Sequence, residues 1–196
     1  YAHLAGEPSA VVEAVSGSEA GATYGHNKFT QLDKDSLDLY LKTAKLSKQN
    51  LAEQSKYAIA AFIQYGTATT RRLGKGERAG VIGSYYEAFG KLPQSVEDWQ
   101  DVIKIANGRW TKERSTAAET KAKESFKKIY KRDARMNDAK DSNAVMIMAY
   151  GLRPVVRNLN TEKASISIYK AIFKGSPANS RQWDMVRSIG YGGAKR

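Results

Sequence analysis

Residues 84–114 read SYYEAFGKLPQSVEDWQDVIKIANGRWTKER: an aromatic-bearing helix, a Gly/Pro turn, a second helix and a closing glycine. The chain repeats this ending. Ile105-Ala106-Asn107-Gly108 is preceded by Ile63-Gln64-Tyr65-Gly66 and followed by Met148-Ala149-Tyr150-Gly151 and Ile189-Gly190-Tyr191-Gly192. The closing glycines lie 42, 43 and 41 residues apart. A fixed period of this length is the mark of stacked helical hairpins.

The other columns agree. Nine residues before the glycine stand Tyr57, Trp99, Ser142 and Trp183; six before stand Ala60, Val102, Val145 and Val186; three before stand Ile63, Ile105, Met148 and Ile189. An apolar stripe at i, i+3, i+6 fits an amphipathic helix, and a glycine after it fits a left-handed C-cap, which needs no Cβ. Beyond three of the glycines come Arg72, Arg114 and Arg157, then Glu77, Glu119 and Glu162. Aromatic pairs four apart follow, Tyr85/Phe89, Phe126/Tyr130 and Tyr169/Phe173, each on one helix face. Pro93 and Pro177 end the first helix of their hairpins; in the middle hairpin Ala134 and Ser142 replace the proline and the tryptophan. The expected fold is all-α: about 3.5 tandem helix hairpins of ~42 residues, a short solenoid or bundle over residues 33–196, behind an extended arm, residues 1–32.

Each column has a plain reading and a sharper one. Tyr57, Trp99 and Trp183 pack neighbouring hairpins together, or line a groove; packing is favoured, because aromatics at helical spacing mostly bury area. The Arg–Glu columns bridge adjacent repeats or hold helix ends, where Glu near a helix start meets the dipole favourably, or they form a recognition code; the structural role is favoured.

Charge divides the chain. Its formal net charge is +12, yet residues 1–30 hold Glu7, Glu13 and Glu19 against Lys28 alone, a balance of −2, which leaves the rest at +14. The arm is rich in Gly, Ala and Ser, and Val11, Val12 and Val15 offer one short extended segment. Alone it buries too little surface to offset its ordering entropy. It folds back on its own array or, the reading preferred, docks on a neighbouring subunit. Val11, Val12, Val15, Glu7, Glu13, Glu19 and Tyr24 are its interface candidates, with Trp110 and Tyr191 on the body.

Chemistry is sparse. His3 and His26 are the only imidazoles, with no carboxylate cluster around them, and there is no cysteine, hence no disulfide and no thiolate metal site. No catalytic residue, cofactor or metal is assigned, and an enzyme is the least favoured class. Gly74-Lys75-Gly76 with Gly80 lacks the spacing of a dinucleotide loop and the Lys-Ser/Thr of a P-loop, so it reads as the turn before a helix from Glu77. Asn137, Asp138, Asp141 and Asn143 are oxygen donors in one loop without the calcium-loop spacing; helix capping by Asp141 or Asn143 is favoured. Residues 104–135 carry eleven Lys and Arg against four acids, a solvated face or a nucleic-acid surface. No apolar run is long enough to span a bilayer. The chain begins at Tyr1, as expected if a leader has been removed.

The strings ERAGV, FGKLP, DWQDVIKIANGRW, FKKIY, MAYGLRPVVRNLN, TEKASI, YKAIF and DMVRSIGYGGAKR resemble a family of exported helical-repeat surface proteins of small-genome candidate-phyla bacteria. The resemblance covers roughly Gly66 to Arg196. It implies a place outside the cell, and it implies no reaction. Together with the repeat, the arm, the charge split and the lack of catalytic residues, this makes the expected function a structural subunit of an extracellular filament or surface assembly, its partner being copies of itself. The alternative is a nucleic-acid-coating protein. A third reading is a binder of cell-wall polysaccharide through Trp99, Trp110 and Trp183, of which Trp110, off the helical stripe, is the aromatic most expected at the surface.

Overall fold

The computed structural model describes residues 34–35, 37–38 and 53–196, leaving aside the side chains of Glu53, Gln54 and Tyr57. The N-terminal arm with His3, Glu7, Val11, Val12, Glu13, Val15, Glu19, Tyr24 and His26, most of the helix expected over 33–46, and the side chain of Tyr57 lie outside the described residues. Within them the protein is all-helical, with seven helices and no strand: α1 Glu53–Tyr65, α2 Lys75–Phe89, α3 Val96–Ala106, α4 Thr116–Tyr130, α5 Ala139–Tyr150, α6 Leu159–Phe173 and α7 Ser180–Tyr191. Lys34, Asp35, Leu37 and Asp38 are also helical. No described helix is long and apolar enough to cross a membrane.

The described residues form two compact units. One holds those up to Gly83 with Leu92–Ile103; the other holds Ser84–Lys91 with Lys104–Arg196. In the first, Ala60, Phe62, Ile63, Trp99 and Val102 are fully buried, and the rings of Phe62 and Trp99 lie 5.5 Å apart. Ser95 and Asp98 open α3 reciprocally: Asp98 N–H donates to Ser95 Oγ, and Ser95 N–H donates to Asp98 Oδ2. Arg78, buried and not singled out by the sequence, closes α1. Its Nε donates to the carbonyls of Phe62 and Ile63 at 2.9 Å and its Nη2 to that of Gln64 at 2.8 Å, so one cation satisfies three helix-end acceptors.

In the second unit α4 packs on α5, α5 on α7 and α7 on α6. The core runs along α5, where Ala144, Val145, Met146 and Tyr150 are wholly enclosed. The aromatic pairs lie as their spacing predicts, with ring centroids 4.4 Å apart for Phe126/Tyr130 and 4.6 Å for Tyr169/Phe173.

Three of the four closing glycines are left-handed: Gly66, Gly108 and Gly151, at φ near +70. Gly192 is not. It is right-handed, at φ −71, and the left-handed residue is Gly193. What Gly192 supplies is space: a Cβ there would stand 2.7 Å from that of Ala144. A second left-handed column lacks a uniform glycine: Gly90, Lys131 and Lys174 end α2, α4 and α6 in that conformation, two of them as lysines.

Candidate assembly surface

Two of the three Arg–Glu pairs act inside single loops rather than between repeats. Arg114 Nε donates to Glu119 Oε1 at 2.5 Å, across the start of α4. Arg157 holds Glu162 with two bonds, Nε to Oε1 at 2.8 Å and Nη2 to Oε2 at 2.7 Å, across the start of α6. Each guanidinium holds its carboxyl below the ordinary glutamate range, against the opposing push of burial.

A tyrosine completes each pair. The Tyr150 hydroxyl, at the end of α5, donates to Glu119 at 2.7 Å and accepts the N–H of Ser115 at 2.8 Å. The Tyr191 hydroxyl, at the end of α7, donates to Glu162 at 3.1 Å and accepts the N–H of Asn158 at 3.0 Å. Ser115 and Asn158 are themselves the N-caps of α4 and α6, accepting from Ala118 and Thr161. Each loop is thus pinned three ways: by its cap, by its ion pair and by a hydroxyl from the end of the second helix after it, α5 or α7. Burial pushes the Tyr150 hydroxyl up to about 12. Arg72 is exposed and Glu77 lies in the first turn of α2.

These pinned loops present apolar side chains to solvent. Trp110 is 47% exposed, Val155 73%, Val156 77% and Leu159 66%. The loops meet at Gly108, where an added Cβ would stand 2.5 Å from the Arg153 carbonyl and 3.9 Å from Val155 Cγ2. The Arg153 N–H in turn donates to the carbonyl of Ile105 at 3.0 Å. Arg109, Lys112, Arg114 and Arg157 are exposed on the same loops, and the Arg114 guanidinium lies 5.7 Å from the Trp110 ring centre.

Beneath the edge sits a buried ionic knot. Asp184 Oδ1 is 2.7 Å from Arg187 Nη1 and 3.4 Å from Arg153 Nη1, and it accepts from Ser84 Oγ at 3.1 Å. Arg153 also donates to the Gly151 carbonyl. Burial pushes the Asp184 carboxyl up while the two arginines pull it down. Asp184 Oδ1 is shared by two guanidinium groups and a hydroxyl, so the knot reads as structural. A hollow nearby, lined by Glu87, Lys121, Met148 and Arg181 among others, holds on the order of one water.

The other sequence candidates divide. Trp110 is at the surface as expected. Trp99 is fully buried, which removes it as a sugar-binding ring, and Trp183 is 40% exposed. Tyr191 is half-buried with its hydroxyl committed to the pin. The loop of oxygen donors is otherwise employed. Asp138, not Asp141 or Asn143, caps α5, accepting from Lys140 and Asp141. Asp141 takes a two-pronged bond from Arg132, at 2.5 and 2.7 Å, and Asn143 donates to the carbonyls of Tyr191 and Gly192. Among the described residues no group of three or more His, Cys, Asp or Glu is placed to hold a metal. No protein family, curated protein or solved structure matches this chain.

Proposed function

We propose that this chain is a structural subunit of an extracellular filament or surface assembly, built of about 3.5 hairpin repeats. It self-associates head to tail, with the arm of one subunit docking on the next. One observation carries this reading: the exposed Trp110, Val155, Val156 and Leu159 ride on loops held rigid by two Arg–Glu–Tyr pins. Large apolar side chains gathered on a surface mark contact sites. Rigid ones lose little entropy on binding. Contacts between non-identical faces generate an open filament when the rotation does not close. The extracellular setting is supported by the resemblance of the repeat strings alone. The test is electron microscopy and sedimentation of the full chain at rising concentration, with and without residues 1–32. Polymers that need the arm are expected; a native chain that stays monomeric overturns the proposal.

A second reading has its own support. Lys121, Lys123, Lys128 and Lys131 are exposed on and just after α4. A nucleic-acid-coating protein would bind through such lysines, with affinity falling steeply as salt rises. Native material free of nucleic-acid absorbance, together with salt-insensitive assembly, excludes it.

A further inference from the structure

We infer that the edge formed by Trp110, Val155, Val156 and Leu159 is the seat for residues 7–19 of a second copy of this chain. The inference rests on the proposed self-assembly and names its receptor. The edge has an apolar centre beside the exposed Arg109 and Lys112, with Arg114 and Arg157 tied to Glu119 and Glu162 and with Glu113 exposed on the same loop. An occupant that is apolar at the middle and brings acids to Arg109 and Lys112 fits it. Residues 7–19, EPSAVVEAVSGSE, have that pattern: Val11, Val12 and Val15 between Glu7 and Glu19, with Glu13 among them and no cation.

The charge balance of the chain favours such an occupant, because residues 1–30 carry −2 on a chain that is otherwise +14. Reach also suffices. An extended stretch from Val11 to Val15 spans about 13 Å, and neighbouring packed helices lie about 8–10 Å apart. A stretch of that length is long enough to cross two neighbouring loops. A nucleic acid fits the edge less well: only one of its four apolar side chains is a ring on which a base can stack.

The test uses full-length protein and a labelled peptide of residues 5–21. The receptor is the full chain bearing Val11→Asp, Val12→Asp and Val15→Asp, so that its own stretch does not compete. Fluorescence anisotropy is expected to show saturable binding that weakens with salt. Trp110→Ala, or Val155→Ser with Val156→Ser, lowers affinity at least about tenfold, the scale of a hot-spot truncation. Trp183→Ala, on α7, leaves it unchanged. Circular dichroism confirms that each variant is folded.

A mixing experiment then separates a second copy from the chain's own stretch. The receptor with its altered valines and a chain with the altered edge each fail to polymerise alone. Mixed, they form a one-to-one complex. Peptide binding without that complex means seating within one chain and overturns the inference. So does binding that ignores the edge substitutions, or displacement of the peptide by an oligothymidylate at equal affinity. Native polymers that survive the edge substitutions sink this receptor and leave the assembly standing. A native chain that never polymerises sinks the assembly itself, and the second-copy seat with it.

Discussion

Helices α4 and α6 are written alike and buried differently. Each has 15 residues, an aromatic pair in the same column and an Arg–Glu tie at its start. Yet α4 buries Ala118, Ala122, Ser125, Phe126, Ile129 and Tyr130, whereas α6 buries Ser165 and Tyr169. Ser125 is 8% exposed; Ile168, its counterpart 43 residues on, is 45% exposed. The second helices differ in the same way. Nine consecutive-to-near-consecutive residues of α5 are buried, but four of α7. A repeat column sets the direction a side chain faces. What covers it is set by the neighbouring element, so equal columns carry unequal energies.

The tryptophan column tests this most severely. Trp99 is fully buried against Phe62, and Trp183 is 40% exposed. Trp99→Ala is expected to destabilise by about 3–5 kcal/mol, as removal of an enclosed aromatic does. Trp183→Ala is expected to cost about 1 kcal/mol, because much of the ring is already wet. Urea unfolding of the two variants measures both. Equal costs would break the comparison and return the two residues to one structural role.

Left-handed glycines give the next largest contrast. Gly151 is at φ +70, and an added Cβ would lie 2.3 Å from Ser84 Oγ and 2.7 Å from Asp184 Oδ1. Gly90 is at φ +69 with nothing within 4 Å. Gly90→Ala therefore incurs only the backbone term, about 1–2 kcal/mol. Gly151→Ala adds overpacking against the ionic knot, for about 3–4 kcal/mol in all. Thermal or urea denaturation of both alanines separates conformational strain from crowding at one backbone geometry.

The tyrosine pins should differ more mildly. Tyr150→Phe removes a hydroxyl from a fully buried ring and takes a partner from both Glu119 and the Ser115 N–H. About 1–2 kcal/mol is expected. Tyr191 makes the same bonds from a half-buried position, so water replaces much of what Tyr191→Phe removes, and about half that cost is expected. A larger loss at Tyr191 than at Tyr150 would show that the last pin, not the middle one, holds its hairpin shut.

The parts that were legible in the sequence were those with local causes. The ends of α1, α5 and α7 were visible because an aromatic precedes a glycine, and the aromatic pairs because four residues make one helical turn. The start of α6 at Leu159 was hidden, since the Asn158 cap stands before a polar Asn-Thr step that looks like loop. Lys131 and Lys174 hid two left-handed ends because lysine has no preference for that conformation. The Arg–Glu pairs could be seen five residues apart. Their tyrosines could not: Tyr150 meets Glu119 from 31 residues away, and only the packing of α5 on α4 brings them together. Nor could the exposure of Val155 and Val156 be read from their apolar character, which alone suggests burial.

One further column, with the smallest effect, lies at the helix starts. Ten residues before Gly108, Gly151 and Gly192 stand Asp98, Asp141 and Gln182. Each accepts a backbone N–H ahead of its helix: from Gln94 at 3.0 Å, from Arg135 at 2.9 Å and from Ala178 at 2.7 Å. Asp141 alone of the three is seen to take a two-pronged bond from an arginine, and the bond to Arg132 leads the causes that bring its carboxyl from 3.8 to about 2. A depressed folded-state value means that protons bind the unfolded chain first. The stabilisation is therefore whole above the ordinary carboxylate value and is lost as the pH falls toward about 2. Arg132 is a quarter exposed, so solvent screening keeps the effect small. Urea midpoints measured down that acid range should drop less steeply for Asp141→Asn than for the parent. Gln182→Glu gives the last hairpin a carboxylate in the same column without an arginine at the position of Arg132, where Gly175 stands. It should add no comparable acid sensitivity. If it does, the backbone N–H rather than the guanidinium sets the titration, and the two hairpins differ less in electrostatics than in burial.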